Sequence, residues 1–229
     1  MIDIITRTFT PDILQFLFRG AGMTIALSVV IVLISVVFGT VLGLLRSYDR
    51  FILGRLASIY IELFRNTPNL LWIYICYIFM PLPSAFLRAS SAFVLFTSAM
   101  IAEIVRGGLN AIPQGQFEAA HSQGFTFFGA LWNIILPQCF KRIVPTLMSQ
   151  IITVVKDTSF LSSVAVAELM FNAKRLMSML NKLTGQTLGI VHIILILGFA
   201  FLVYFAINFT LSCVVRHLQK RNNTAAQTH

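Results

Sequence analysis

Charged residues are scarce in this chain: Asp, Glu, Lys and Arg make up only 11% of its 229 residues. An average soluble domain carries about 25%. Because 57% of the residues are hydrophobic and the mean hydropathy is +0.84, the composition excludes an ordinary soluble domain and indicates an integral membrane protein. One membrane span needs about 20 apolar residues, so the length allows about four to six spans.

The sequence also lacks the usual marks of metal, nucleotide and covalent chemistry. Its three cysteines, Cys76, Cys139 and Cys213, are far apart and have no metal-like spacing. It contains no Gly-x-x-x-x-Gly-Lys-Ser/Thr phosphate loop, so any ATP chemistry must come from another chain. The apolar segments hold no nucleophile–base pair, which argues against an intramembrane hydrolase. We therefore predict no metal, no cofactor and no catalytic residue in this chain.

Acidic residues are the scarcer charge, with 8 Asp and Glu against 17 Lys and Arg and a net charge of +9. Such an excess is found both in nucleic-acid-binding proteins and in membrane proteins. Here the basic residues lie at the ends of apolar segments, where the positive-inside rule and lipid headgroups place them. We expect membrane lipids and no nucleic acid among the partners.

Five apolar segments are long enough to cross a bilayer. They cover residues 20–45, 56–80, 89–105, 143–167 and 189–215. Before them, residues 11–18 predict a short helix on the membrane surface, and no removable signal peptide is expected. We therefore predict an extracytoplasmic segment over 1–19, one membrane domain over 20–215 and a cytoplasmic tail over 216–229.

The distribution of Lys and Arg predicts the orientation. With the amino terminus outside, the inner segments hold nine of these residues and the outer segments six. The bias predicts a multi-pass membrane protein whose amino terminus is outside and whose carboxyl terminus is cytoplasmic. It also places the polar loop at about residues 107–142 on the inner side.

This polar loop contains the most specific motif in the chain, EAA-x3-G-x9-I-x-L-P. Its defining positions are Glu118, Ala119, Ala120, Gly124, Ile134, Leu136 and Pro137. The motif resembles the cytoplasmic loop of permease subunits in bacterial ABC importers. The resemblance covers about residues 20–215 and is closest to the polar amino-acid branch, which includes histidine, glutamine, arginine and cystine permeases. It implies an all-α integral membrane protein of the type I ABC importer kind, with about five transmembrane helices and a helical coupling loop.

The residues of the loop predict a helix, a sharp corner and a second helix. Pro113 suits the first turn of a helix over 114–122, Gly124 suits a left-handed helix end, and Thr126 suits the next amino-terminal cap. Residues alone allow either a plain surface loop or a docking element. The resemblance implies that the helix sits in a groove of the ATP-hydrolysing subunit. The implied coupling residues are Phe117, Glu118, Ala119, Ala120, His121 and Gly124.

Ionisable side chains inside apolar segments are expensive, about 2.5–3.5 kcal/mol at the bilayer centre, so they are candidates for function. Six such residues occur: Glu62, Arg65, Glu103, Lys156, Asp157 and Glu168. Glu168 falls near the predicted outer interface, and we expect it to be solvated.

Two of these acids form the predicted substrate site. Glu103 either pairs with Arg106 one turn later or binds a positive group of the substrate, and an acid in a similar Ala-Glu-x-x-Arg-Gly-Gly stretch is typical of the family branch. Asp157 either forms a salt bridge between helices or faces the pathway. Two acids at one cavity would favour a substrate with a positive end, as every amino acid has. Met100 and Phe160 are the predicted apolar wall of this site.

The stretch Phe64-Arg65-Asn66-Thr67-Pro68 resembles the Phe-Arg-Gly/Ser-Thr/Ile-Pro stretch of the same branch, with Asn66 where small residues are usual. Pro68 removes a helix hydrogen bond and is expected to break the second span. Arg65 and Pro68 are therefore either a gate or hinge, or a structural kink.

The resemblance implies a permease subunit of an ATP-driven importer for a polar amino acid. The implied partners are two copies of an ATPase subunit, which bind ATP and Mg²⁺, a second permease chain and an extracytoplasmic substrate-binding protein. The alternative is an ion-coupled secondary amino-acid transporter that uses Glu103 or Asp157 as a relay. Five spans without an internal inverted repeat argue against it.

Overall fold

The computed structural model describes the backbone of residues 2–49 and 51–227, and the side chains of residues 4–49 and 51–217. Arg50 and the predicted tail's side chains beyond residue 217 lie outside the described part. Within that part the chain is helical and has no strand. The helices are α1 Ile2–Thr8, α2 Pro11–Tyr48, α3 Ile52–Arg65, α4 Asn69–Phe79, α5 Ala85–Asn110, α6 Gly115–Ser122, α7 Phe127–Ala130, α8 Leu136–Asp157, α9 Leu169–Thr184 and α10 Ile190–Gln227. A π-helical turn, Leu131–Ile135, precedes α8, and a 3₁₀ segment, Thr158–Val164, follows it.

The helix α2 is longer than the first predicted span. It begins after Thr10, whose hydroxyl accepts from the backbone N–H of Ile13, and Pro11 fits its first turn. The separate surface helix predicted over 11–18 is therefore wrong, because these residues are the first turns of α2. Ile13 and Leu17 are buried against α9, which holds this part of α2 inside the fold.

The second predicted span is broken at Pro68, as expected from its missing N–H. The helix α3 ends at Arg65 and α4 begins at Asn69. The side chain of Thr67 stabilises the corner, since its hydroxyl donates to the carbonyl of Leu63 and accepts from the Trp72 indole.

Three described helices are long and apolar enough to cross a membrane by themselves: α2, α5 and α10 up to His217. The helix α4 is apolar but has only 11 residues. The predicted fourth span, 143–167, does not form one helix, because α8 starts earlier and ends at Asp157. Five spans therefore remain a prediction. The two additional crossings would be formed by α3 together with α4, and by α8.

The core of the membrane domain is the contact between α2 and α5. Gly39 and Gly43 lie one turn apart on α2, and a Cβ at either would lie 2.7 Å from a carbonyl oxygen of α5, that of Ser98 or Ala102. Helix pairs in membranes use this spacing of small residues to bring two backbones close together. Nearby, the hydroxyl of Ser35 donates to the carbonyl of Val94 at 3.2 Å.

We expect Gly39→Leu to lower the free energy of unfolding by about 1–3 kcal/mol, since the added side chain overpacks the contact with α5. The midpoint of thermal unfolding in detergent measures the effect. Gly22→Leu is the matched control, because a Cβ at Gly22 meets no atom within 4 Å. Equal midpoints for the two variants would contradict this account of the α2–α5 contact.

The helix α9 packs between the first halves of α2 and α10. Its buried apolar face contains Leu169, Ala173, Leu176 and Leu180, and it contacts Leu17 of α2 and Ile196 and Ala200 of α10. Four residues, 165–168, separate the 3₁₀ segment from α9, so this packing lies close in sequence to the end of α8.

Candidate translocation and coupling sites

The polar loop has the predicted helix–corner–helix shape. The helix α6 covers Gly115–Ser122, and Gly124 has a φ of +84°, in the left-handed region that favours glycine. Thr126 accepts from the N–H of Gly129 at 3.2 Å and caps α7. These three local predictions are confirmed.

The six implied coupling residues divide between two faces of the loop. Ala120 is buried, and Phe117 is half-buried in an aromatic cluster with Tyr48 and Phe127, whose ring centroids each lie 6.0 Å from that of Phe117. By contrast, Glu118 is exposed. Ala119 and His121 are exposed as well. Ala120 therefore does not offer the close approach to another surface that we expected, because it packs against its own chain.

The loop is firmly joined to α5 and α8. Leu131, Ile135 and Leu136 are buried in one apolar cluster with Val105 and Leu109 of α5. The guanidinium of Arg142 on α8 donates to the carbonyl of Ala111, directly after α5. A second link is the hydrogen bond of 3.0 Å between the amides of Gln138 and Gln116. These contacts join the loop to both helices.

Glu103 lies in a cluster of charges that joins three helices. Its carboxylate pairs with Arg106 on the same helix, and it lies 3.3 Å from Arg46 of α2 and 3.5 Å from Arg65 of α3. Arg46 also pairs with Glu62 at 2.6 Å. The predicted pairing of Glu103 with Arg106 is present, and it is part of a larger network. Arg65 joins this network through Glu103.

Asp157 is the last residue of α8 and has a different environment. Its side chain is half-buried, and no ion pair is formed by it within the described residues. Phe160, 41% exposed, lies three residues later in the 3₁₀ segment, where residues three apart share one face. The two predicted substrate acids are not brought together in one chain, since the charged neighbours of Glu103 are arginines.

The sequence analysis missed a polar line along α8 and the 3₁₀ segment. It consists of Arg142, Thr146, Ser149, Thr153, Lys156, Phe160 and Ser163, at alternating spacings of four and three. All are exposed except Thr153, which is half-buried, and six of the seven are polar. A polar line on the outside of a membrane helix avoids lipid and faces water or protein. The repeated spacing of polar residues is the signal that would have found it.

Glu168 is buried rather than solvated as predicted. Its side chain has 0% exposure, and it caps α9 by accepting from the backbone N–H groups of Met170 and Phe171 at 2.9 and 2.6 Å. The hydroxyl of Tyr204 on α10 donates to it at 2.7 Å. The cap involves only the next three residues, but the tyrosine partner is 36 positions away and depends on the tertiary fold, so the prediction failed.

These side chains offer reversible charge pairing and hydrogen bonding. The described part of the chain contains no group of three or more His, Cys, Asp or Glu residues suited to hold a metal ion. The arrangement fits binding, release and mechanical coupling.

Comparison with known proteins gives the family. The family model described as binding-protein-dependent transport system inner membrane component matches residues 35–223. The chain belongs to this family. The resemblance to ABC importer permeases that was based on the loop motif is thereby confirmed.

Two relatives come from Bacillus subtilis (strain 168). The chain is 34% identical over 219 residues to the probable glutamine ABC transporter permease protein GlnP, covering 93% of this chain and 96% of the relative. It is 35% identical over 208 residues to the probable glutamine ABC transporter permease protein GlnM, covering 88% of this chain and 91% of the relative.

Solved structures of similar shape confirm the all-α, type I importer fold. A crystal structure of an amino acid ABC transporter with histidines matches with a TM-score of 0.75 and 29% identity, covering 90% of this permease and 94% of that chain. An inward-facing MetNI methionine ABC transporter matches with a TM-score of 0.73. Its 19% identity, over 92% of this permease and 99% of that chain, supports the fold alone.

Proposed function

We propose that this permease subunit carries a polar amino acid inward across the bacterial cytoplasmic membrane and is driven by a separate ATPase. The observation that carries the proposal is the course of α8. This helix starts in the apolar cluster beside the coupling loop and ends at Asp157 after 22 residues, about 33 Å. One helix, with Pro145 in its interior, therefore connects the loop that carries α6 with the candidate substrate residue.

The ATPase is proposed to bind the exposed face of α6. Glu118 and Ala119 present an acidic group and a small side chain there, while Phe117 and Ala120 hold the helix to its own chain. Two ATPase copies, each with ATP and Mg²⁺, would bind beneath two permease chains. Their closure would pull the two loops together and turn the pathway outward, and hydrolysis would return it inward.

A second permease chain is proposed to cover the polar line of α8. Charged and hydroxyl groups on the outside of this helix are costly in lipid but favourable beside water held between two chains. The two relatives from one organism, both printed as probable glutamine permeases, support a pair of different chains, and a pair of identical chains has the same geometry. The family description supports delivery of the solute by an extracytoplasmic binding protein.

The substrate's ammonium group is proposed to bind Asp157. This carboxylate is half-buried and has no ion pair in the described chain, whereas Glu103 is neutralised by three arginines. Phe160 supplies an apolar wall beside it, and Met100 and Glu103 remain predicted contributors from α5. Arg65 and Pro68 remain a predicted gate or hinge. Glutamine is the first substrate to test, because both Bacillus relatives carry it in their names.

The test is reconstitution in lipid vesicles of this chain with its permease partner, ATPase and binding protein. We expect ATP-dependent uptake of radiolabelled glutamine, histidine or arginine, and stimulation of ATPase activity by the same amino acid. The control is an ATPase whose phosphate-loop lysine is replaced. Uptake by this chain alone, driven by an ion gradient, would instead establish the secondary transporter.

A further inference from the structure

A buried polar cluster lies behind the substrate segment, where α2, α9, α10 and the 3₁₀ segment meet. We define it as Thr24, Thr158, Glu168 and Tyr204. The side chains of Thr24, Thr158 and Glu168 are each completely buried, with 0% exposure. The Tyr204 hydroxyl donates to Glu168 at 2.7 Å. The Thr158 hydroxyl donates to the carbonyl of Val155 on α8 at 2.8 Å. Thr158 directly follows Asp157, so the cluster reaches the backbone of the candidate substrate site.

One member of the cluster, Thr24, lies in a close contact between α2 and α9. The backbone N–H of Leu169 donates to the Thr24 hydroxyl at 3.2 Å. One turn later, the amide of Asn172 donates to the carbonyl of Phe16 at 2.8 Å. A Cβ at Gly20 would lie 2.7 Å from the Asn172 amide nitrogen, so the two helices are in close contact. The start of α9 is therefore a fixed frame.

The segment between the end of α8 and the start of α9 is the part that must be held in place. The 3₁₀ segment ends at Ala165, whose φ of 59° lies in the left-handed region. A non-glycine residue in that region is strained and persists only where the surroundings enforce it. Apolar burial of Leu161 and Val164 supplies part of that enforcement. Members of the polar cluster lie at both ends of the segment, Thr158 at its start and Glu168 after its end.

We propose that Glu168 and Tyr204 are positioning residues for the substrate site. The bond from the Tyr204 hydroxyl to Glu168 joins the chain that follows the 3₁₀ segment to α10, and so sets where the segment ends. It thereby sets the position of Asp157 and Phe160 relative to α9 and α10. The effect of these two residues on substrate binding rests on the proposed function, but their effect on the position of the 3₁₀ segment does not.

The first arm of the test measures the segment itself. Tyr204→Phe removes one hydroxyl and keeps the ring, and Tyr74→Phe on α4 is the matched control. Amide hydrogen exchange is followed by mass spectrometry on the assembled complex in lipid nanodiscs. Because a lost buried hydrogen bond promotes local opening, we expect exchange over residues 158–166 to rise about three- to tenfold in Tyr204→Phe only.

A double-mutant cycle tests whether the two side chains act together. Glu168→Gln keeps the size of the side chain but replaces one carboxylate oxygen, which accepts hydrogen bonds, with an NH₂ group, which can only donate. Its neighbours are themselves donors, so hydrogen bonds are lost. If the pair forms one unit, the double variant should show about the exchange increase of the stronger single variant. The proposal would be overturned if the exchange increase of the double variant equalled the product of the two single increases. Unchanged exchange in Tyr204→Phe would also overturn it.

The second arm measures substrate response, with glutamine, histidine and arginine as probes of ATPase stimulation. We expect Tyr204→Phe to raise the half-saturating concentration about three- to tenfold and to leave the maximal rate and the amount of complex unchanged. A role only in stability would instead lower the amount of complex at an unchanged half-saturating concentration, and so would refute positioning. If no amino acid stimulates the parent complex, the proposed function fails, while the exchange arm still decides the control of the segment.

Discussion

Glu118→Arg is expected to reduce ATP-driven uptake about a hundredfold, since reversing a charge at a protein interface costs several kcal/mol of binding. The side chain is exposed, and the described residues form no ion pair with it. Its position in the first turn of α6 lets it bind a basic group or helix start on the ATPase. An arginine there would repel the same partner.

The same substitution should leave the permease itself nearly intact. Phe117 and Ala120, on the other face of α6, hold the helix against its own chain and are not altered. A positive charge near a helix amino terminus costs only about 0.3–1 kcal/mol. The amount of permease in the membrane should therefore match that of the parent.

Two measurements check this prediction: uptake in vesicles and co-purification of the ATPase with the permease. Glu118→Gln is the matched control, because it removes the charge at nearly constant size and should lose much less uptake than the arginine variant. Parental uptake in Glu118→Arg would exclude a coupling role for Glu118.

The loop could be predicted from the sequence because its shape depends on near neighbours. The left-handed Gly124 and the cap at Thr126 involve residues within a few positions of each other. The break at Pro68 has the same local origin, a missing N–H. By contrast, the burial of Ala120 depends on helices elsewhere in the chain, and it was not foreseen.

The region around Glu168 shows why the rest could not be predicted. Its hydrogen-bond partner Tyr204 is 36 positions away, and the next residue, Leu169, donates to Thr24, 145 positions earlier in the chain. Nothing in the local sequence distinguishes this acid from a solvated one. The continuity of α2 was likewise hidden, because Asp12 and Arg19 resemble the polar boundary of a span, whereas burial of Leu17 against α9 keeps the helix intact.

Glu103 and Asp157 are equally unusual as acids in apolar segments, but their surroundings predict opposite consequences of neutralisation. Glu103→Gln would leave Arg46, Arg65 and Arg106 without their shared negative partner. We therefore expect less assembled complex in this variant. Asp157 balances no charge network in the described chain, so its neutralisation should not reduce assembly.

Asp157→Asn is accordingly expected to act on transport alone. Hydrogen bonds to charged groups contribute about 1.5–3 kcal/mol, so loss of the carboxylate should raise the half-saturating amino-acid concentration about tenfold to a hundredfold. Asparagine keeps the size of the side chain and can still accept a hydrogen bond, which limits the loss to the charge.

Uptake at several concentrations of glutamine, histidine and arginine measures this effect, with the amount of complex determined on the same membranes. Asp12→Asn in the first turn of α2 is the matched control and should keep the parental half-saturating concentration. A lower amount of complex with unchanged half-saturation would make Asp157 a structural residue. The two outcomes can be separated because Asp157, unlike Glu103, forms no ion pair between helices in the described chain.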